Sequence, residues 1–168
     1  MSTRGLKVVS ANKTPQPLTI YKTPGAYSVG TNFRIYLSND QPAYVYAISS
    51  DLSNEITKIF PYEDGISAAL SYKKNAVAIP DEDHFIQFDG KPGTDYLCVL
   101  YSKNELNINQ LISQIGTQTG TFNEKVYKAL GNRLVNPADI TFSSDKIAFK
   151  GISKGKEVIA MMVELDHK

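Results

Sequence analysis

The side chains best suited to catalysis or metal binding are two histidines, His84 and His167, and one cysteine, Cys98. His84 ends the acidic run Pro80-Asp81-Glu82-Asp83-His84, in which adjacent acids could supply oxygen ligands to a metal ion. The spacing matches no calcium-binding loop, and a solvated acidic turn in front of a strand explains the same residues. We therefore predict no metal or other cofactor, and we keep Asp81, Asp83 and His84 as the alternative, a metal site.

The other reactive groups give little support for an enzyme. Acyl transfer needs a nucleophile beside a base, and that base is usually histidine. His167 is the penultimate residue, where chains commonly fray, and Cys98 lies among apolar neighbours, which favours a buried structural thiol. We predict a protein that is not an enzyme, with a small metal-dependent hydrolase using the Asp81–His84 loop as the alternative.

Ten tyrosines in a chain without tryptophan are the most suggestive feature. Tyr44 and Tyr46 lie two apart in an apparent strand and so share one face, while Tyr62 and Tyr72 fall in the same predicted sheet region. Exposed tyrosines suit binding surfaces because they bury area at low entropic cost, and these four form the predicted surface. They could instead be core and rim residues with hydrogen-bonded hydroxyls, or stack on sugar rings in a carbohydrate-binding β-sandwich.

Strand patterns fill most of the chain. Residues 33–37 alternate apolar and polar side chains, and 43–49 and 55–60 follow after short turns, which predicts an antiparallel meander. Residues 95–102 are the most continuously apolar segment, as is typical of a strand at the centre of a sheet. A turn between 146–150 and 158–165 predicts a hairpin.

Helical spacing appears after residue 102. Ser102 and Glu105 lie at the interval of a capping box, and so do Thr121 and Glu124. Two short helices are therefore predicted as an insertion over about residues 103–131.

Together these patterns predict a mainly β fold, an antiparallel β-sandwich (Ig-like or related) of about eight strands. A partly open barrel is the structural alternative. The 168 residues fit one domain. We place this domain at 26–168, with 1–25 as a proline-rich extended segment packed on it.

The charge balance indicates which classes of partner the chain can bind. The chain has 18 basic and 17 acidic residues and a net charge of +1, whereas capture of nucleic acid needs a concentrated positive face. No apolar run approaches the roughly 20 residues that cross a bilayer. We predict no nucleic-acid partner and no membrane insertion, and leave the oligomeric state open.

Short motifs follow one another in a fixed order over about residues 27–105. They are Tyr27-Ser28-Val29-Gly30, Phe33-Arg34-Ile35, Pro42 to Ile48, Ile56 to Pro61, Ile79-Pro80 and Pro92-Gly93-Thr94-Asp95. In this order they resemble the bacterial family known as domain of unknown function 4384. Thr31 stands where that family tends to place an acid, and Asp95 where it often has glutamate. Residues from about 107 onward lie outside the pattern.

The resemblance implies an accessory domain, since such modules occur attached to caspase-like peptidases, protein kinases and cell-envelope proteins. We expect a non-catalytic interaction domain of a bacterial envelope or secreted protein, which binds or scaffolds a protein partner or a neighbouring domain of a longer chain. The implied location is the periplasm, the cell envelope or the exterior. No apolar signal core follows Met1 to Gly5, so we expect either a part of a longer exported chain or a cytoplasmic protein.

Overall fold

The computed structural model describes residues 10–12, 17–51, 53–70, 74–88, 90–143 and 149–168. Its strands are β1 (Ser10–Asn12), β2 (Ile20–Lys22), β3 (Asn32–Phe33), β4 (Ile35–Asn39), β5 (Ala43–Ser50), β6 (Ile56–Phe60), β7 (Ala69–Leu70), β8 (Lys74–Ile79), β9 (Ile86–Gln87), β10 (Gly93–Ser102), β11 (Ile140–Phe142), β12 (Phe149–Gly151) and β13 (Val158–His167). Its helices are α1 (Ile108–Thr117) and α2 (Phe122–Leu130), followed by 3-10 turns at Gly131–Arg133 and Pro137–Asp139.

The principal sheet has the strand order β1-β2-β13-β10-β5-β6, and β7 pairs with the start of β5. β10 lies in the middle, antiparallel to β13 on one side and to β5 on the other. The central position predicted for residues 95–102 is therefore confirmed. β2 runs parallel to β13, so the sheet is mixed.

Each face of this sheet supports a separate core, because successive side chains of a strand point to opposite faces. One face packs against both helices. Its buried residues include Tyr46, Ile48, Cys98, Leu100 and Met162 from the strands and Leu111, Ile115, Val126 and Leu130 from the helices. The opposite face packs against three two-stranded sheets, β3–β9, β4–β8 and β11–β12. This second core includes Val45, Ala47, Leu97, Val99, Met161, Val163, Leu37, Ile79 and Phe88.

The second helix starts where its capping box predicts. The hydroxyl of Thr121 accepts a hydrogen bond from the N–H of Glu124, and the Glu124 carboxylate accepts one from the N–H of Thr121 at 2.7 Å. These two bonds satisfy backbone donors that the first helical turn leaves without partners.

The capping box predicted at Ser102 and Glu105 is wrong. Ser102 is the last residue of β10, and its hydroxyl donates to the carbonyl of Asn104 at 2.6 Å. The first helix begins five residues later, where the side chain of Asn107 accepts from the N–H of Gln110. Because Ser102 is paired in the sheet as the last residue of β10, it does not cap a helix.

Two predicted strand pairings are corrected. β4 does not continue a meander into β5 but pairs with β8, through Ile35–Ile79 and Leu37–Val77. β12 does not form a hairpin with β13, because it pairs with β11 and β13 pairs with β10 and β2. Residue 147 of the predicted hairpin lies outside the described residues.

The mainly β class is confirmed, and the Ig-like sandwich is not. The described strands form several sheets, and none of these closes into a barrel. The predicted helical insertion covers one face of the central strands of the principal sheet, because α1 and α2 pack on β5, β10 and β13. Within the described ranges, no helix combines the length and the apolar character needed to span a bilayer.

Candidate functional site

The acidic loop after β8 is ordered around one carboxylate. One oxygen of Asp81 accepts the N–H groups of Asp83 and His84 at 2.8 and 2.7 Å, which closes a tight turn. The other oxygen lies 2.7 Å from Nδ1 of His84. Partial burial acts to raise the pKa of Asp81, but the hydrogen bonds from Asp83 and His84 outweigh it, and the pKa is lowered.

Tyr62 joins this loop from a distant part of the sequence. Its ring centroid lies 5.0 Å from that of the His84 imidazole. The pKa of Tyr62 is raised by desolvation and then by the negative charges of Glu63 and Asp81. The phenol is therefore protonated at neutral pH and serves as an aromatic wall with a donor hydroxyl.

Arg34 contacts Phe85, the residue that follows His84 in the acidic loop. Its guanidinium lies 3.8 Å from the ring centroid of Phe85, within the range of a cation–π interaction. Its Nε donates to the carbonyl of His84 at 2.8 Å. Phe85 remains 47% exposed, so this contact orients the ring without burying it.

These loops form one side of a groove with a volume of about 400 Å³. The floor comes from the principal sheet, where Ser49 pairs with Leu97 and Asp95 pairs with Leu165. β3 and the segment at β9 add Phe33, Ile86 and Phe88 to the lining, and the acidic loop adds Phe85. Glu55, Lys58 and Tyr62 also line the groove. β6 is the last strand in the sheet order, so the groove runs beside a sheet edge.

One acidic side chain of the groove lining, that of Asp95, lies next to a buried histidine. His167 is 3% exposed, and its Nε2 lies 3.3 Å from Oδ2 of Asp95. That distance suits an ion pair, but neither ring nitrogen makes a hydrogen bond with a described residue. The imidazole stacks on Phe88 with 4.9 Å between centroids. Fraying at the chain end is therefore wrong for His167, which pairs with Gly93 as the last residue of β13.

The reactive groups in and near the groove differ in the chemistry that they could support. Asp81 orients His84 as in a catalytic dyad, but the hydroxyl beside this imidazole belongs to Tyr62, whose pKa is raised. Burial raises the pKa of the Cys98 thiol to about 12, in the core on the helix-covered face. Among the described residues, no three histidine, cysteine or acidic side chains are grouped so as to hold a metal ion. Asp83 contributes its N–H to the turn, whereas Asp81 and His84 meet through their side chains.

The four tyrosines of the predicted binding surface do not come together. Tyr46 is 2% exposed, and its hydroxyl accepts the N–H of Leu106 at 2.8 Å, so it offers no surface to a ligand. Tyr44 is half-buried and packs against the same core. Tyr62 lines the groove, and Tyr72 lies outside the described residues.

Sequence reasoning missed most of the residues that surround Tyr62. Glu55, Asp95 and Phe88 are distant from one another in sequence, and the sequence pattern singles out His84 only for metal binding or hydrolysis. The proline before each loop, Pro61 or Pro80, was a usable signal, because it ends a strand and starts the segment that carries Tyr62 or His84.

Comparison with known proteins gives one match. The model of the family described as Domain of unknown function (DUF4384) matches residues 26–105. No curated protein and no solved structure matches the chain significantly. Residues 26–105 supply every residue that lines the groove except Leu165. This match supports the resemblance of residues 26–105 to the domain of unknown function 4384 family, which the order of their motifs indicates.

Proposed function

We propose that this domain is a non-catalytic interaction module, which binds a segment of a protein partner or of a neighbouring domain in the groove between β6 and the loop at residues 80–88. One observation carries the proposal: the rings of Tyr62 and His84 contact each other in the lining of a partly aromatic groove beside an edge strand. We further propose that the module is part of a bacterial envelope or secreted protein, as the family resemblance implies.

The size and lining of the groove support this proposal. Its volume of about 400 Å³ falls within the range of about 300–1,000 Å³ that holds ligands. That volume accommodates one or two side chains of an extended segment. Half-buried aromatic rings such as Tyr62 and Phe85 give contact area at low entropic cost, and the neighbouring polar groups give orientation.

The edge strand β6 offers a second means of recognition. Extended segments can add to an exposed sheet edge by main-chain hydrogen bonds, while neighbouring pockets select side chains. Lys58 and Glu55 flank this edge, and charges of this kind protect an edge from indiscriminate pairing. Binding would therefore depend on groove contacts as well as on the strand.

Selection from a library of displayed random peptides tests the proposal. Peptides selected on the wild-type domain would be measured by fluorescence anisotropy against two variants, Tyr62→Ser in the groove and Tyr127→Ser on the exposed side of α2. Because aromatic anchors dominate such contacts, we expect Tyr62→Ser to weaken binding by about tenfold or more. Tyr127→Ser should leave it unchanged, and circular dichroism would check that both variants fold.

Two results would contradict the proposal. Selected peptides that bind wild type and Tyr62→Ser equally would place the contact elsewhere. Oligosaccharides that bind in a Tyr62-dependent manner, while no peptide does, would establish the carbohydrate-binding alternative.

A further inference from the structure

Several carboxylates line the groove, whereas each potential cation of the lining already has an acidic partner. The lining carboxylates are Asp51, Glu55 and Asp95. The lining ammonium, that of Lys58, is 2.5 Å from a carboxylate oxygen of Asp64, which does not line the groove. The imidazole of His84 is held by Asp81 in the same way. The two potential cations of the lining therefore each have an acidic partner of their own.

Glu55 is the lining carboxylate most available to a ligand. Its residue is exposed, and its carboxylate makes no hydrogen bond or ion pair with any residue that the structure describes. Asp51 differs, because one of its oxygens accepts from the N–H and the hydroxyl of Ser53. Asp95 differs too, because the buried His167 lies 3.3 Å behind it.

The remaining lining matches the rest of a long basic side chain. Tyr62 and Phe85 line the space, and the face of an aromatic ring attracts a cation within about 6 Å. Leu97 and Leu165 form an apolar floor, against which the methylene stem of arginine or lysine can pack while its charged end stays solvated. Arg34 contacts Phe85 from outside the lining, so it does not occupy this space.

We infer that the segment bound in this groove inserts an arginine or lysine side chain, with its stem on the apolar floor and its cation against Glu55. The inference rests on the proposed function and adds the chemistry of the partner to it. Charge complementarity selects this occupant, because an acidic side chain would meet the carboxylates of the lining and an uncharged one would leave Glu55 without a counter-charge.

Two small probes test the inference directly. N-acetyl-arginine methylamide carries the cation, and N-acetyl-citrulline methylamide has nearly the same shape without the charge. Titration of the wild-type domain, followed by methyl NMR of Leu97 and Leu165, should show the arginine probe bound at least about fivefold more tightly. The difference should shrink as salt is added, since the contact with Glu55 is exposed to solvent.

Two matched variants locate the charge. Glu55→Gln should weaken binding of the arginine probe by about fivefold and leave the citrulline probe unaffected. Glu105→Gln, an exposed glutamate that does not line the groove, should change neither. Equal binding of the two probes, no methyl shift with arginine, or an arginine affinity insensitive to Glu55→Gln would overturn the inference. Any of these results combined with Tyr62-dependent peptide binding would leave the interaction module intact, whereas peptide binding insensitive to Tyr62→Ser would refute the module itself.

Discussion

Replacing Tyr46 by phenylalanine should destabilise the protein through the loss of one buried hydrogen bond. The Tyr46 hydroxyl accepts the N–H of Leu106 at 2.8 Å, and both residues are buried. Tyr46→Phe keeps the ring and its packing but leaves that N–H without an acceptor, which costs about 1–3 kcal/mol. In a domain of this size each kcal/mol lowers the melting temperature by roughly 2–4 °C. A loss of about 2 kcal/mol would therefore lower it by roughly 4–8 °C.

Urea unfolding followed by circular dichroism measures this cost, and Tyr44→Phe is the matched control. Tyr44 lies two residues earlier in β5 and is half-buried, and its hydroxyl makes no hydrogen bond with a described residue. Its loss should change the free energy of unfolding by less than about 0.5 kcal/mol. The slope of the unfolding transition should be the same for both variants, because they expose similar surface. Equal stability of Tyr46→Phe and Tyr44→Phe would refute the assignment of a structural role to the Tyr46 hydroxyl.

Three further predictions concern the buried thiol of Cys98, the buried amide of Asn123 and the capping carboxylate of Glu124. Because burial raises the pKa of Cys98 to about 12, its thiol should resist iodoacetamide at pH 8 in the native protein and react once urea unfolds the chain; equal rates would contradict its burial. Asn123→Ala should cost about 2 kcal/mol of unfolding free energy, since the side chain exchanges two buried hydrogen bonds with the backbone of Leu18 at 2.9 and 3.0 Å; Asn132→Ala, at an exposed position just after α2, is the control. Hydrogen bonds from Thr121 lower the pKa of Glu124 in the folded state. This contribution is present above the unfolded pKa and is lost as the pH falls through the folded value, so the stability difference between wild type and Glu124→Gln should shrink in acid.

The parts of the fold that the sequence predicted are those fixed by local patterns. The apolar segment 95–102 became the central strand because a strand buried on both faces needs no polar alternation. The capping box at Thr121 specifies a helix start through bonds between residues only three apart. The box at Ser102 failed although its spacing is the same, because β13 already held that residue at the end of β10.

Long-range pairings were outside the reach of the sequence patterns. β4 and β8 are separated by three strands and their turns, and nothing in either segment specifies its partner. The environment of Tyr46 was also undetermined, because β5 is flanked by strands on both sides and covered on both faces, so its tyrosines follow no inside–outside alternation. The groove could not be predicted from sequence patterns for the same reason, since only tertiary packing brings Glu55, His84 and Asp95 together.

The groove lining and the core of the fold come from different parts of the chain. Residues 26–105 supply the groove lining apart from Leu165, but the strand beside β10 comes from residues 158–167. Without β13, the full length of β10 would be an unpaired edge. The residues that cover the other face, among them Leu111 and Val126, would be missing as well. An unpaired apolar strand of this length is a site of aggregation. The family stretch therefore supplies most of the groove lining, while the segment beyond it completes the principal sheet and its core.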